Sequence, residues 1–384
     1  MARVLVAEPF YGGSHKAFLD GLVRHSRHEF ELLTLPDAEW RRRMRRGAQE
    51  LAAAAMAATG TFDLLIVTDM LDLPAFLALT RPRFASTPVL CYFHENQFTY
   101  PRLRGTKFNS WFGQINYLSA CAADYVAFNS RFHREDFLGA LRALARTPNG
   151  WLVESLIAGI EARSAVLPVG VELAWLDAHE QSRRPREEPL VLWNHRWEFD
   201  KAPAVFARAI TVLADEGLAF QVALAGDPGP NPARELMELG HRAPGRIAHS
   251  GYAASREAYA ELLWNSAIVA STARHEFFGV GMAEALYCGC VPVAPARYNY
   301  PALIPREWHE RCLFEDEAAL VHKLRRLITD PIGETAPGRA SAARFAWEKV
   351  GEAWDDAIEM MANAPRIADK NASIANMCVN EVCA

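Results

Sequence analysis

The 384-residue chain has no apolar run long enough to span a bilayer, and the Ala-rich stretch from Leu51 to Thr59 is too short for that role. Its start, Met1-Ala2-Arg3-Val4-Leu5-Val6-Ala7, reads as a strand and not as a secretory signal peptide. No strongly basic amphipathic helix argues for attachment to a membrane surface. The seven cysteines show no paired spacing, so no disulfide framework is expected. Cys288 and Cys290 stand too close for the usual zinc-ligand spacing, and Cys378 and Cys383 lie in the tail. Reduced thiols and a cytoplasmic protein are expected. A charge excess is also missing. With a formal net charge of −5, a nucleic-acid partner would have to be met by a local patch. The G-x-G-x-x-G fingerprint is absent, no Asp-x-Asp pair stands at a strand end, and no internal repeat shows beyond two similar halves.

The chain does have a core-forming composition, 51% hydrophobic and 23% charged, with length enough for two domains. Short apolar runs alternate with helix-length segments from the start. Val4–Ala7, Phe30–Leu35, Leu64–Val67, Val89–Phe93 and Tyr125–Phe128 predict strands in the first half. Leu190–Trp193, Phe220–Ala225, Ile247–His249, Ala267–Ala270 and Val291–Ala294 predict them in the second. This rhythm belongs to parallel strands with crossover helices, hence an α/β protein with two doubly wound domains. The charged, proline-bearing stretch His179–Pro189 reads as a linker between the two series. A long helical pattern covers Arg339 to Asn363, and the tail from Ala364 onward lacks a clear period. In open parallel sheets ligands sit beyond the carboxyl ends of strands, so the chemistry is sought there.

One such end organises the rest. Ala267–Ala270 runs through Ala273-Arg274-His275-Glu276-Phe277-Phe278-Gly279-Val280-Gly281 into a helix beginning near Met282. A strand-to-helix turn with glycines at the bend aims bare N–H groups and the positive helix end at one point, a seat for an anion. Glu276 in the loop and Glu284 in the helix stand eight positions apart and can accept hydrogen bonds from several hydroxyls. A phosphate with many hydroxyls describes a nucleotide sugar. After Leu190–Trp193 comes Asn194-His195-Arg196-Trp197-Glu198-Phe199-Asp200-Lys201, with Arg196 and Lys201 straddling a turn before a helix predicted over Ala202–Glu216 and stopped by Gly217. Two cations there would offset charge building on a departing diphosphate. Asp227 and Tyr252 fall where a nucleoside would lie, and Tyr252 is a candidate for stacking on a base. Val4–Ala7 leads into Gly12 and Gly13, which let backbone approach a ligand, with Ser14 as a helix cap. Val89–Phe93 leads into His94, Glu95, Asn96 and Gln97, polar groups expensive to bury without partners.

Glu276-x7-Glu284 resembles the signature of retaining glycosyltransferases of the GT-B fold. The fuller set Pro9-Phe10-Tyr11-Gly12-Gly13-Ser14-His15-Lys16, Tyr92-Phe93-His94-Glu95-Asn96-Gln97, Phe128-Asn129-Ser130 and His275-Glu276-Phe277-Phe278-Gly279 is similar to the queuosine-tRNA mannosyltransferase family across nearly the whole chain. The resemblance implies two Rossmann-like domains facing across a cleft. Residues 1–170 would form the acceptor-side domain and 171–345 the nucleotide-sugar domain; 346–363 would be a helix crossing back and 364–384 a tail. It implies transfer of mannose from GDP-mannose to queuosine in the anticodon of tRNA-Asp, by a front-face retaining mechanism without a metal or other cofactor. Arg196 and Lys201 would hold the diphosphate with the N–H groups near Phe278, Gly279 and Val280. Glu276 would orient sugar hydroxyls, Glu284 the ribose, and His94 the sugar's far hydroxyl.

For the acceptor, the residues offer the basic cluster Trp40-Arg41-Arg42-Arg43-Met44-Arg45-Arg46. Arg41, Arg42 and Arg45 are candidates for tRNA phosphates, joined by Arg102, Arg104 and Lys107 past the His94 loop. Glu95, Asn96 and Gln97 complete the acceptor candidates. Two other readings stay open: a GT-B transferase acting on a lipid or polysaccharide, and a non-catalytic tRNA-binding or nucleotide-sugar-sensing protein.

Overall fold

A computed structural model describes residues 1–101, 110–148 and 150–364. Arg102, Arg104, Lys107 and positions 365–384 lie outside the described residues. The chain divides into two compact units. The first takes its described residues from Met1–Tyr100, the segment up to Gly170, and the chain from Trp347 onward; the second is essentially Val171–Ala346.

The first unit begins β1 (Arg3–Tyr11), α1 (Gly13–His25), β2 (Glu29–Pro36), α2 (Trp40–Ala57), β3 (Leu64–Thr68) and α3 (Leu73–Phe84). It continues β4 (Val89–Phe93), α4 (Ser110–Ala122), β5 (Tyr125–Phe128), α5 (Arg131–Ala145), α6 (Glu154–Ala162) and β6 (Ser164–Val166). All pairings are parallel, in the order β2-β1-β3-β4-β5-β6. Strands β3, β4 and β5 are buried at every position, which is why their sequences are unbroken apolar runs and not alternating ones. The order reverses between β1 and β3, so the crevice beyond their carboxyl ends is this sheet's natural ligand site.

The second unit runs β7 (Leu190–Trp193), α7 (Pro203–Asp215), β8 (Gln221–Ala225), β9 (Ile247–Gly251), α8 (Arg256–Asn265) and β10 (Ile268–Ala270). Then come α9 (Val280–Tyr287), β11 (Val291–Pro295), β12 (Leu313–Phe314), α10 (Glu317–Thr329) and α11 (Ala336–Ala343). Its parallel sheet has the order β12-β11-β10-β7-β8-β9, and the reversal falls between β7 and β10. The two loops singled out above therefore leave adjacent strands at one switch point.

The chain then returns to the first unit as α12 (Trp347–Asn363). Trp347 and Trp354 are fully buried, both packing on Phe18 of α1. The Trp354 indole N–H donates to the Pro168 carbonyl at 3.0 Å. A side chain on Gly21 or Gly170 would strike the Trp347 ring, at 2.2 Å in each case.

Three expectations need correction. The Arg339–Asn363 pattern is two helices, broken at Arg344–Ala346, where Val171 N–H donates to the Phe345 carbonyl and Val171 bridges Ala346. The stretch His179–Pro189 does not divide the units. It belongs to the second and is pinned there, Arg184 N–H donating to Asn265 Oδ1 and Asn265 Nδ2 to the Ser182 carbonyl. Ser14 does not cap α1: Gly12 is the N-cap, and no side chain caps the helix. Cys91, Cys121, Cys288, Cys290 and Cys312 are free thiols. Among the described residues no helix is long and apolar enough to cross a membrane.

Candidate active site

In the second unit the loops after β7 and β10 are stitched together by hydrogen bonds onto the carbonyls of the first loop. Arg274 N–H donates to the Asp200 carbonyl at 2.6 Å, and Thr272 Oγ1 to the Lys201 carbonyl at 2.8 Å. Gly226, after β8, leaves room for the first loop: a Cβ there would lie 1.8 Å from the His195 carbonyl oxygen. The stitching places Lys201 Nζ 3.4 Å from Glu276 Oε2 and 3.3 Å from Asp200 Oδ2. Burial pulls the lysine pKa down, but Glu276 and Asp200 outweigh it and hold the group above its ordinary value. Lys201 is thus a fixed cation at the switch point. Arg196 is exposed, pairs with Glu198 at 3.1 Å, and its charge reaches Lys201. His195 is driven to about 3 by burial and by Lys201, so it is a neutral neighbour.

Gly279 caps α9 with φ +102°, a conformation that side chains rarely adopt. This bend turns the chain out of the Glu276 loop and into the helix. The Asn299 side chain holds it, donating to the Phe278 carbonyl at 2.7 Å, while Asn299 N–H donates to the Glu276 carbonyl. The first amides of α9, from Val280 on, have no carbonyl within the helix to receive them, so they and the helix dipole favour an anion. Glu284 lies on the second turn. Burial pushes its carboxyl up to about 7, opposed by the Tyr259 hydroxyl and by Arg256. Tyr252 is exposed after β9, its ring open to a partner.

The first unit gathers a second cluster at its own switch point. Glu8 of β1 and His15 of α1 are buried and paired, Nδ1 to Oε2, at 3.0 Å. Burial works against the imidazolium, but Glu8, Asp69 and Glu95 raise His15 to about 9. His94 lies over His15, ring centroids 4.2 Å apart; burial and the charge of His15 keep it neutral. Its backbone N–H donates to Asp69 Oδ1 at 2.8 Å. Two buried atoms here, His94 Nε2 and Asp69 Oδ2, have no hydrogen-bond partner among the described residues, a cost that a bound polar ligand would remove. Glu8, His15 and His94 also place ligand-type atoms within 4.8 Å of one another, a group able to hold a metal ion.

Of the other expected positions, Gly13 is open, with nothing within 4 Å of a Cβ built on it. At Gly12 a Cβ would lie 2.0 Å from Asp37 Oδ2. Asn96 is fully buried, and its Oδ1 accepts from the N–H groups of Phe98 and Thr99 at 3.1 Å. It shapes its own loop. Gln97 Nε2 donates to Glu95 Oε1 at 2.8 Å, and its N–H donates to Asn116 Oδ1. Arg41, Arg42 and Arg45 are exposed on the first turns of α2. Arg41 lies over Trp40 and Arg45 over Phe112. Since α2 follows β2, these turns stand at the carboxyl edge of the sheet, the edge that carries His94.

Sequence reasoning passed over Asp69 and Tyr259. Asp69 follows β3 directly, so the strand-end rule applied elsewhere would have found it. Tyr259 sits mid-helix at no strand end, and only tertiary structure reveals it.

The class follows from fold and sequence together. Residues 176–344 match the model for glycosyl transferases group 1, and the solved structures that resemble the chain share its two-sheet architecture. A sucrose-phosphate synthase from Thermosynechococcus elongatus aligns with TM-score 0.71 and 16% identity over 94% of this chain and 98% of that one. An E. coli structure described as trehalose-6-phosphate bound with UDP-2-fluoro glucose aligns with TM-score 0.71 and 11% identity, over 95% of this chain and all of the other. The protein is a glycosyltransferase of the GT-B fold. More narrowly, residues 3–171 match the model for the tRNA-queuosine alpha-mannosyltransferase N-terminal region. A tRNA-queuosine alpha-mannosyltransferase of Drosophila melanogaster is 31% identical over 337 residues, 86% of this chain and 88% of its own. The chain belongs to the tRNA-queuosine alpha-mannosyltransferase family. A GDP-mannose-dependent alpha-(1-6)-phosphatidylinositol dimannoside mannosyltransferase of Mycobacterium tuberculosis is 24% identical, over 80% of this chain and 76% of its own.

Proposed function

We propose that this protein transfers mannose from GDP-mannose to the queuosine of tRNA-Asp, in the cytoplasm, with retention and without a metal. The observation that carries the reading is the Lys201–Glu276 pair at the switch point of the second unit. A buried cation and a carboxylate side by side suit a diphosphate and the sugar hydroxyls next to it. Lys201, Arg196 and the amides that open α9 stabilise the diphosphate as it departs. The acceptor hydroxyl attacks from the face the diphosphate leaves, and a phosphate oxygen takes its proton, so no separate base is required. Glu276 orients the sugar hydroxyls and Glu284 the ribose. His94 offers its unpartnered Nε2 to a hydroxyl. The donor assignment is supported by the mycobacterial relative, described as GDP-mannose-dependent, and the acceptor by the Drosophila relative. Arg41, Arg42 and Arg45 supply phosphate contacts.

The test is incubation with GDP-mannose and queuosine-containing tRNA, followed by nucleoside mass analysis on separated tRNAs. A hexose on queuosine of tRNA-Asp alone is expected, undiminished by EDTA. Loss of activity with EDTA would instead make the Glu8, His15 and His94 group a metal site. A hexose on lipid and none on queuosine would favour the acceptor class of the mycobacterial relative. Glu276→Ala is expected to keep the fold, judged by circular dichroism, and to lose transfer by at least about a hundredfold. Wild-type rates in that variant would remove Glu276 from the site.

A further inference from the structure

A chain of three side chains joins parts of the second unit that are far apart in sequence. Asn194, just past β7, donates through Nδ2 to the Gly281 carbonyl at 2.8 Å and to the Tyr259 hydroxyl at 3.1 Å. Tyr259, on α8, donates in turn to Glu284 Oε2 at 2.8 Å. The direction of these bonds is forced. A carbonyl can only accept, so the Asn194 atom facing Gly281 is the amide nitrogen, and that nitrogen donates to the phenol as well. The phenol has one hydrogen, which goes to the carboxylate. The arrangement is tight: a Cβ on Gly281 would lie 3.0 Å from Asn194 Nδ2.

We infer that Tyr259 and Asn194 are positioning residues for the donor, holding Glu284 in one rotamer and in its ionised form so that its other oxygen accepts the vicinal hydroxyls of a nucleoside ribose. This rests on the reading of the second unit as the donor site. An ionised carboxylate can accept from two adjacent hydroxyls; a protonated one spends an oxygen as a donor. The groups that face Glu284 agree with this role. The Tyr259 hydrogen bond and the charge of Arg256 both favour its ionised form against burial. Cys288, one turn further along, is pushed up by burial and stays a neutral thiol. The phenol itself is held well above its ordinary value, first by burial and then by Glu284, so it remains a proton donor across the working range.

The sign is definite. Glu284 stands near 7, so donor binding weakens as pH falls through that value. Removing the Tyr259 hydroxyl deletes an interaction that lowers the pKa, so the acid limb moves to higher pH.

The experiment measures calorimetric binding of GDP and of 2′-deoxy-GDP between pH 6 and 9, together with steady-state rates with GDP-mannose. Wild type is expected to prefer GDP. Tyr259→Phe is expected to weaken GDP binding about tenfold at pH 7, to shift the acid limb upward, and to lose most of the preference for the 2′-hydroxyl. KM for the donor should rise by a similar factor while kcat changes little. Asn194→Asp presents an acceptor to the phenol, turns its proton away from Glu284, and should give the same loss. The double variant should be no worse than either single one. If wild type binds no GDP, the donor reading falls and this inference with it. If wild type binds GDP and Tyr259→Phe matches it in affinity, pH profile and 2′-discrimination, only the positioning role is overturned.

Discussion

His15 shows how one buried side chain ties a candidate site to stability. Its neighbours hold its pKa near 9, above the ordinary value of about 6.5. A histidine raised in the folded state contributes stability that is fully present below about pH 6.5 and lost as pH rises through about 9. Glu8→Gln removes its hydrogen-bonded anion. The melting-temperature gap between wild type and this variant is therefore expected to be widest near pH 6 and to narrow by pH 9.5; a gap independent of pH would show that His15 is neutral in the folded protein. Residues of this kind were only half legible in the sequence. Glu276, Arg196 and Lys201 stood in the loops past strand ends, where the apolar runs stop and polar groups begin, and Glu284 in the helix that one of those loops leads into. Asn96 stood at such an end too, and its hydrogen bonds to Phe98 and Thr99 within the loop could not be read there, because a strand end marks where a ligand can lie and not how each polar group is bonded. The partnership of Glu284 with Tyr259 spans 25 positions, and no local pattern encodes it.

Elements were read more completely than residues, because burial on both faces makes each central strand a plain apolar run. Strands β4, β5 and β7 fall at their predicted bounds. Strands β6 and β12 were missed: with three and two residues, they carry too little sequence to stand out. The helix break before Trp347 was hidden because Phe345 and Ala346 fit a helical pattern. It exists because Val171 hydrogen-bonds to that segment. The same scale governs α9, which depends on Gly279. A side chain there would need φ +102° and would meet Leu303 Cδ1 at 2.8 Å. Gly279→Ala should cost roughly 1–3 kcal/mol of stability and, by moving the first amides of the helix, raise donor KM more than it lowers kcat. Chemical denaturation and donor titration would check both; unchanged values would mean that the bend tolerates a side chain.

At the scale of the whole molecule, each unit is a doubly wound sheet with a reversal of strand order, and each reversal collects a polar cluster. The two-domain α/β reading was accessible from the alternation of strands and helices. Alternation and composition alone point to the charged stretch at 179–189 as the junction, but the units divide at the short passage near Gly170. That charged stretch is largely exposed, as its composition favours, yet the side chain of Asn265 ties it to the second unit. The first unit also depends on a helix from the far end of the chain. Trp354→Ala should therefore cost about 3–5 kcal/mol in the first unit's unfolding. Tryptophan fluorescence and hydrogen exchange would show protection falling first in α1 and β4. Equal loss across β7–β11 would contradict the division into units.

The return of α12 also has a consequence for biosynthesis. A ribosome delivers Arg3 before Trp354, with all of the second unit in between. The second unit is thus in hand, ready to fold, while the strands of the first still wait for the aromatic cover that α12 brings. During translation, Phe18 and Tyr92 face a period of exposure that ends only once α12 has emerged to cover them, and nascent-chain protection by a chaperone is most needed there.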